Sequence, residues 1–354
     1  MPTSTAVEIA FVNNMPDAAF VETERQFRVL LGVGRTSPAP ARLRLYAPPE
    51  RLTGAEPDVA SRGARYRPVE ELFATRPAGV VVTGCEPAGG ELRDEPLWPV
   101  FERVFEWAPG ATGSLWLACL AAHAALAHYD GLRRRPLRSK YSALLSQAVD
   151  PEHPLTAGLP ARVALPHSRS NEVPTAEVSA AGYRLAIASE ETGWTVATTE
   201  RGGCLLVAVQ GHPEYGADTL LREYRRDVRR YLAGERDTYP PLPQGYLDGA
   251  AEERFAAFRG RAEAQQRAGQ ERAGQERAGQ ERAWRRGPGE RPVAGGGSSG
   301  RSGEAELLGQ FPFAEEAGRL RATWAPIAAR LGRNWLAIVA ARSSAARTPV
   351  PTRS

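Results

Sequence analysis

The chain predicts an α/β fold, a mostly parallel sheet with helices on both faces, followed by a C-terminal helix that comes after a low-complexity insertion. Three observations lead there. Apolar runs alternate with amphipathic segments across residues 6–235. Several of those runs, Gly79-Val80-Val81-Val82-Thr83, Ser114-Leu115-Trp116-Leu117-Ala118 and Leu205-Leu206-Val207-Ala208-Val209, carry no charge, as expected of strands covered on both faces. The residues with the most chemical character, Thr83-Gly84, Cys119 and His212, fall at the ends of such runs, where open sheets of this kind gather their ligands.

In order, residues 7–12, 43–46, 79–83, 114–118, 184–188, 195–198 and 205–209 read as strands, and 22–31, 98–107, 120–129 and 218–233 as helices. The α/β domain is expected to end near residue 250. Pro240, Pro241 and Pro243 break the pattern, and three copies of Arg-Ala-Gly-Gln-Glu at 267–281 precede Gly295-Gly296-Gly297-Ser298-Ser299-Gly300. A five-residue repeat builds no apolar helix face, so 251–310 reads as a solvated, disordered insertion. Leu320, Trp324, Ile327, Leu331, Trp335 and Ile338 then recur at helical spacing. They predict one helix within 311–342, packed on the core or on a second subunit, with a disordered tail at 343–354.

Composition narrows the class. A hydrophobic content of 42% with 24% charged residues is that of an ordinary globular protein. Cys85, Cys119 and Cys204 cannot form a disulfide framework and suggest a reducing compartment. No secretory leader is read before the first strand and no apolar run approaches membrane-spanning length, so a cytoplasmic location without a membrane partner is expected. The formal net charge of +4, from 45 basic and 41 acidic side chains, is weak evidence for nucleic-acid binding, and no nucleic-acid partner is expected.

Cys119 sits where an uncharged strand gives way to an Ala/Leu-rich helix. There the unsatisfied N–H groups and the helix dipole favour a thiolate. A buried structural cysteine is the competing reading. The run Val207-Ala208-Val209-Gln210-Gly211-His212-Pro213-Glu214-Tyr215 supplies the complement, since His212 and Glu214 leave a strand end at a spacing that lets both point into one cavity. An imidazole can take the thiol proton, and a carboxylate on its other nitrogen fixes the tautomer and steadies the imidazolium. The catalytic candidates are therefore Cys119, His212 and Glu214.

These motifs resemble the homoserine O-acyltransferases of the homoserine O-succinyltransferase type, relatives of the class I glutamine amidotransferases with a flavodoxin-like fold. The resemblance runs in order over residues 6–250: Phe11-Val12-Asn13-Asn14-Met15-Pro16, Glu22-Thr23-Glu24-Arg25-Gln26-Phe27, Val81-Val82-Thr83-Gly84, the Cys119 elbow, Pro166-His167-Ser168-Arg169, Gly211-His212-Pro213-Glu214-Tyr215 and Glu223-Tyr224-Arg225-Arg226-Asp227-Val228. A fainter echo lies at Asn334-Trp335-Leu336. It implies acyl transfer from an acyl-CoA through a Cys119 thioester to an amino-acid hydroxyl, with no bound cofactor, no metal, small-molecule substrates and a homodimer.

The resemblance also carries over a substrate-binding set, Lys140, Ser168 and Arg226, the last gripping the amino-acid carboxylate. Backbone N–H groups of Leu120 and of the Thr83-Gly84 turn are the oxyanion candidates. Acyl choice falls on the small Ala88, which leaves room for a succinyl group where a glutamate would favour acetyl. Where the family has lysines after Met-Pro, this chain has Asp17-Ala18-Ala19, and its elbow-helix glutamine is His123. These changes touch substrate binding more than the triad, so serine or another hydroxy amino acid is an alternative acceptor. An amidotransferase-like amidase is a second alternative. It is disfavoured by Ala121, where that class prefers glycine to free the oxyanion N–H. A catalytically dead relative is a third.

Overall fold

The computed structural model describes residues 6–34, 41–53, 57–87, 89–285 and 305–345. Its elements are β1 (Val7–Val12), α1 (Asp17–Leu30), β2 (Ala41–Ala47), α2 (Pro57–Arg65), β3 (Arg67–Pro68), β4 (Gly79–Val82), α3 (Trp98–Trp107), β5 (Ser114–Ala118), α4 (Leu120–Asp130), β6 (Arg135–Val149), β7 (Arg162–Glu172), α5 (Thr175–Ala180), β8 (Arg184–Ser189), β9 (Gly193–Arg201), β10 (Cys204–Val209), α6 (Thr219–Leu232), α7 (Gly249–Arg285), α8 (Phe313–Arg319) and α9 (Ala325–Ala345). The chain divides into two compact units, one of residues 1–216 with 322–354 and one of residues 217–321.

In the first unit the ten strands form one sheet in the order β3-β2-β1-β4-β5-β10-β9-β8-β6-β7. It is parallel from β3 through β10 and antiparallel from β10 onward. The uncharged runs behave as their composition requires. Ala10, Val12, Val80, Val82, Leu115, Leu117, Leu206 and Ala208 belong to the core shared with α3 and α4. The alternate residues Ile9, Phe11, Val81, Trp116 and Val207 are equally buried. Phe11 meets Phe27 of α1, and Trp116 meets Trp335 of α9, at ring-centroid distances of 5.4 and 5.7 Å. Helices thus cover both faces of these central runs, and their residues are buried whichever way they point.

Sequence periodicity predicts one helix within 311–342, but the structure has two, α8 and α9. Pro326 has no N–H to continue a helix and is tolerated only in a first turn, so α9 starts one residue before it. Helix α9 lies on the core. Trp335 Nε1 donates to Ser114 Oγ at 2.9 Å, Asn334 Nδ2 donates to the carbonyls of Leu155 and Ala157, and Trp324 Nε1 donates to the Tyr215 carbonyl.

Strands β6 and β7 were not expected. β6 opens with Arg135-Pro136 and is half exposed, and β7 carries Pro166 in its middle, which normally argues against a strand. β7 is the last strand of the sheet, so the absent N–H of Pro166 faces no further neighbour, while its carbonyl accepts from His212 N–H at 2.7 Å.

In the second unit, Ala251, Phe255, Phe258 and Ala262 make one buried stripe on α7, and Phe255 and Phe258 pack on Phe311. Arg254 on α7 pairs with buried Glu316 on α8 at 2.5 Å, and Gln266 Nε2 donates to the carbonyls at the end of α6. The Arg-Ala-Gly-Gln-Glu repeats, expected to be disordered, continue α7 as a solvent-exposed helix. Ala, Arg, Gln and Glu are all strong helix formers, and one glycine in five costs only about 1 kcal/mol per repeat. The glycine-serine run at 295–300 and the tail from 346 lie outside the described residues.

Candidate active site

Strand β5 runs straight into α4, and Cys119 is the joint. Its φ of 49° makes it the one non-glycine residue of positive φ among the described residues. Such a backbone costs on the order of 1–3 kcal/mol and persists only where its surroundings hold it. Here the Cys119 N–H donates to the Val209 carbonyl at 2.7 Å, tying the elbow to the end of β10, while its own carbonyl accepts from Ala122 and His123 in the first turn of α4. The turn is sharp, so the thiol stands clear of both elements and is only partly buried.

The neighbouring strand end supplies the base. His212 Nδ1–H donates to Glu214 Oε1 at 2.8 Å, and both side chains are buried. Tyr215 stacks on the imidazole at a centroid distance of 4.2 Å. With the His212 N–H held by the Pro166 carbonyl, ring and backbone are both fixed. Cys119 is the other side chain that acts on the ring. Burial disfavours the imidazolium, but the Glu214 carboxylate together with hydrogen bonding to Cys119 and Glu214 outweighs it and holds His212 well above the ordinary histidine value. Glu214 Oε2 is buried without a partner, so this carboxylate serves His212 alone.

Gly84 borders the elbow. A Cβ built there would stand 2.8 Å from Leu120 N and 2.9 Å from the Ala118 carbonyl, so only glycine allows this approach. As the first N–H of α4, that of Leu120 has no intrahelical acceptor, and its nitrogen lies at the elbow against Gly84. The turn itself is held from β1, a contact no sequence pattern reveals. Asn14 N–H donates to Thr83 Oγ1 at 2.8 Å and Asn14 Nδ2 to the Thr83 carbonyl at 2.7 Å. Arg134 pins the loop that follows, reaching the Gly90 carbonyl and the buried Glu95 carboxylate.

The remaining sequence-derived candidates divide. Lys140 and Ser168 lie on β6 and β7, which pair as a hairpin, and both are half-buried. Arg226 lies on α6 of the second unit, with Nε on Asp227 Oδ1 at 3.0 Å. Ala88 lies outside the described residues. His123 is not a reactive group but a support beneath the elbow. Its Nε2–H donates to Gln210 Oε1 at 2.9 Å, and burial pushes its pKa down to about 4. His167, quoted in a motif without a role, is wholly buried; its Nδ1 accepts from Arg169 and its Nε2–H donates to Thr195 Oγ1 at 3.1 Å.

Three buried histidines are thus kept neutral, since burial lowers His123, His153 and His167 alike. A base whose folded pKa lies below its unfolded value is protonated preferentially on unfolding, so stability falls as pH drops below about 6.5. His123 alone accounts for roughly 3 kcal/mol by pH 4. His212 has the opposite sign, adding stability below the unfolded value and losing it as pH rises through its folded pKa. Below about pH 6.5 the His212 contribution is constant while the other three are lost, so melting temperature followed from pH 6.5 to 4.5 is expected to fall.

Among the described residues no group of three or more His, Cys, Asp or Glu side chains is placed to hold a metal ion, and no helix is long and apolar enough to cross a membrane. The family model for homoserine O-succinyltransferase matches residues 3–345. A protein of that name from Methylorubrum extorquens is 37% identical over 349 residues, covering 96% of this chain and 89% of its own. Another from Rhodopseudomonas palustris is 38% identical over 259 residues, 73% of this chain and 77% of its own. Among solved structures, a glutamine amidotransferase from Thermotoga maritima aligns with a TM-score of 0.39 and 11% identity over 65% of this chain and 86% of that one. A match over nearly its whole length, with relatives above 35% identity, shows that the chain belongs to the homoserine O-succinyltransferase family, and so among the acyltransferase enzymes.

Proposed function

We propose that this enzyme moves a succinyl group from succinyl-CoA to the hydroxyl of L-homoserine through a thioester on Cys119. The observation that carries the reading is the strained Cys119 elbow facing an imidazole whose far nitrogen is bound to a buried carboxylate. With His212 protonated, the sulfur attacks the thioester carbonyl as a thiolate. The tetrahedral oxyanion forms in the gap beside Gly84, within reach of the Leu120 N–H. Collapse breaks the bond to CoA, whose thiolate takes the proton from His212. The imidazole, now neutral, removes the homoserine hydroxyl proton as that oxygen attacks the acyl-enzyme. The second collapse returns the Cys119 thiolate and an O-acyl product, with Glu214 holding the ring in one orientation throughout.

One thioester is broken and one formed in the first step, so its equilibrium lies near unity and the enzyme can commit to either direction. Lys140, Ser168 and Arg226 are the substrate-binding set in this reading, and Ala88 the acyl-size position. The test is CoA release with a panel of donors and acceptors. Succinyl-CoA with homoserine is expected to turn over at least tenfold faster than acetyl-CoA with homoserine or succinyl-CoA with serine. A preference for acetyl-CoA overturns the donor assignment, and one for serine the acceptor. Ammonia release from glutamine without any CoA ester would place the chain with the amidases.

A further inference from the structure

Arg169 is a buried guanidinium that closes no ion pair with a carboxylate among the described residues, although the charge of Glu172, three residues on, acts on it. The residue is 6% exposed, whereas the other well-buried arginines among the described residues, Arg62 and Arg134, each hold an acidic partner. Arg169 Nη1 donates to the neutral His167 Nδ1 at 2.8 Å, Nη2 donates to the Thr192 carbonyl at 2.8 Å, and the group lies 4.4 Å from the Tyr141 ring centroid. These contacts orient the fork without neutralising it, and Nε–H is buried with no acceptor at all. An unpaired buried charge is costly, and a protein retains one where an anion comes to meet it.

Its position says which anion. Arg169 and His167 are two apart on β7 and so share a face. The His167 Cε1 atom lies 3.4 Å from where a Cβ on Gly211 would stand, and the preceding Pro166 carbonyl holds the His212 N–H. The Arg169 charge also interacts with the Cys119 sulfur. The cation therefore lies on the strand that anchors the base, within reach for its charge to act on the Cys119 sulfur.

Resting on the acyl-transfer reading, we infer that Arg169 is a carboxylate receptor of the active site, its free Nε–H and charge receiving the carboxylate of a reactant whose other end is at Cys119. Two reactants of the proposed reaction carry one, the distal carboxylate of a succinyl donor and the α-carboxylate of the acceptor.

Alkylation of the thiol tests the receptor without any CoA ester. Iodoacetate and iodoacetamide both react by attack of the thiolate on the CH2 carbon with departure of iodide, so the thiolate population cancels in their rate ratio and only the carboxylate differs. Burial pushes Cys85 and Cys204 up to about 12, leaving Cys119 as the site to follow by peptide mass at neutral pH. Relative to glutathione, the native enzyme is expected to favour iodoacetate by about tenfold. Arg169→Gln is expected to fall to the glutathione ratio, and Arg169→Lys to lie between. A native ratio equal to that of glutathione overturns the inference, and so does a preference that survives in Arg169→Gln. The native measurement stands even if a variant misfolds.

The source of the carboxylate is then read from the two half-reactions. If it is the donor's, Arg169→Gln slows acylation by succinyl-CoA at least tenfold more than by butyryl-CoA. If it is the acceptor's, both donors react as before and the homoserine KM rises at least tenfold. An equal loss with both donors and an unchanged KM reduces Arg169 to support of His167 and overturns the receptor. Native enzyme that selects iodoacetate yet takes no acyl group from any CoA ester sinks the acyl-transfer reading and not this one.

Discussion

Cys119→Ala is expected to abolish acyl transfer, lowering kcat by about 10⁴-fold or more, with little change in folding. In the proposed mechanism the sulfur carries the acyl group between two substrates that need not be bound together. Without it His212 has nothing to activate except the acceptor hydroxyl, and direct attack on a CoA ester would need both substrates at one carbonyl. Alanine keeps the Cβ, so the positive φ of the elbow is no more strained than before, and the bond from residue 119 N–H to the Val209 carbonyl is untouched. CoA release measured beside a melting curve separates the two effects. An active Cys119→Ala enzyme would return the thiol to the structural role that is the commoner fate of a buried cysteine.

Gly332→Ala is expected to do the reverse, disturbing the fold before the chemistry. A Cβ at this position would stand 2.1 Å from the Leu30 carbonyl oxygen and 3.0 Å from its carbon. That oxygen belongs to the backbone at the end of α1 and cannot turn aside as a flexible side chain would. Helix α9 would have to lift from α1, and the same helix carries Trp335 and Val339, each 3.1 Å from where a Gly79 Cβ would stand over β4. Overpacking of this kind costs about 3 kcal/mol or more, because no rotamer relieves it. A denaturation midpoint unchanged from the native enzyme would mean that α9 does not seat on α1 as described.

These two glycine contacts show what a sequence displays and what it hides. Gly84 was legible, because it follows an uncharged strand and precedes the other chemical groups in an ordered series. Gly332 sits inside a helix whose apolar spacing reads the same with alanine. The nearness of Cys119 to His212 and Glu214 was legible for a similar reason, since strand ends converge in a sheet of this class and these residues follow two neighbouring ones.

The β6–β7 hairpin was not, because Pro166 and the charged start of β6 contradict strand patterning locally; Pro166 is acceptable on the edge strand β7, and the start of β6 pairs with β7 alone. Arg169 was hidden with it. Arginine in a polar motif reads as a surface charge until the hairpin turns it inward beside His167. The repeats show no amphipathicity, which measures what a helix can bury rather than whether a solvated helix forms, and they are described as helix.

The thioester on Cys119 is the centre of this account, and intact-protein and peptide mass spectrometry after exposure to succinyl-CoA, with no acceptor present, tests it most directly. One succinyl group is expected on the peptide that carries Cys119. It should be absent in Cys119→Ala and discharged when homoserine is added. No adduct, an adduct on another residue, or one that homoserine leaves in place would contradict it.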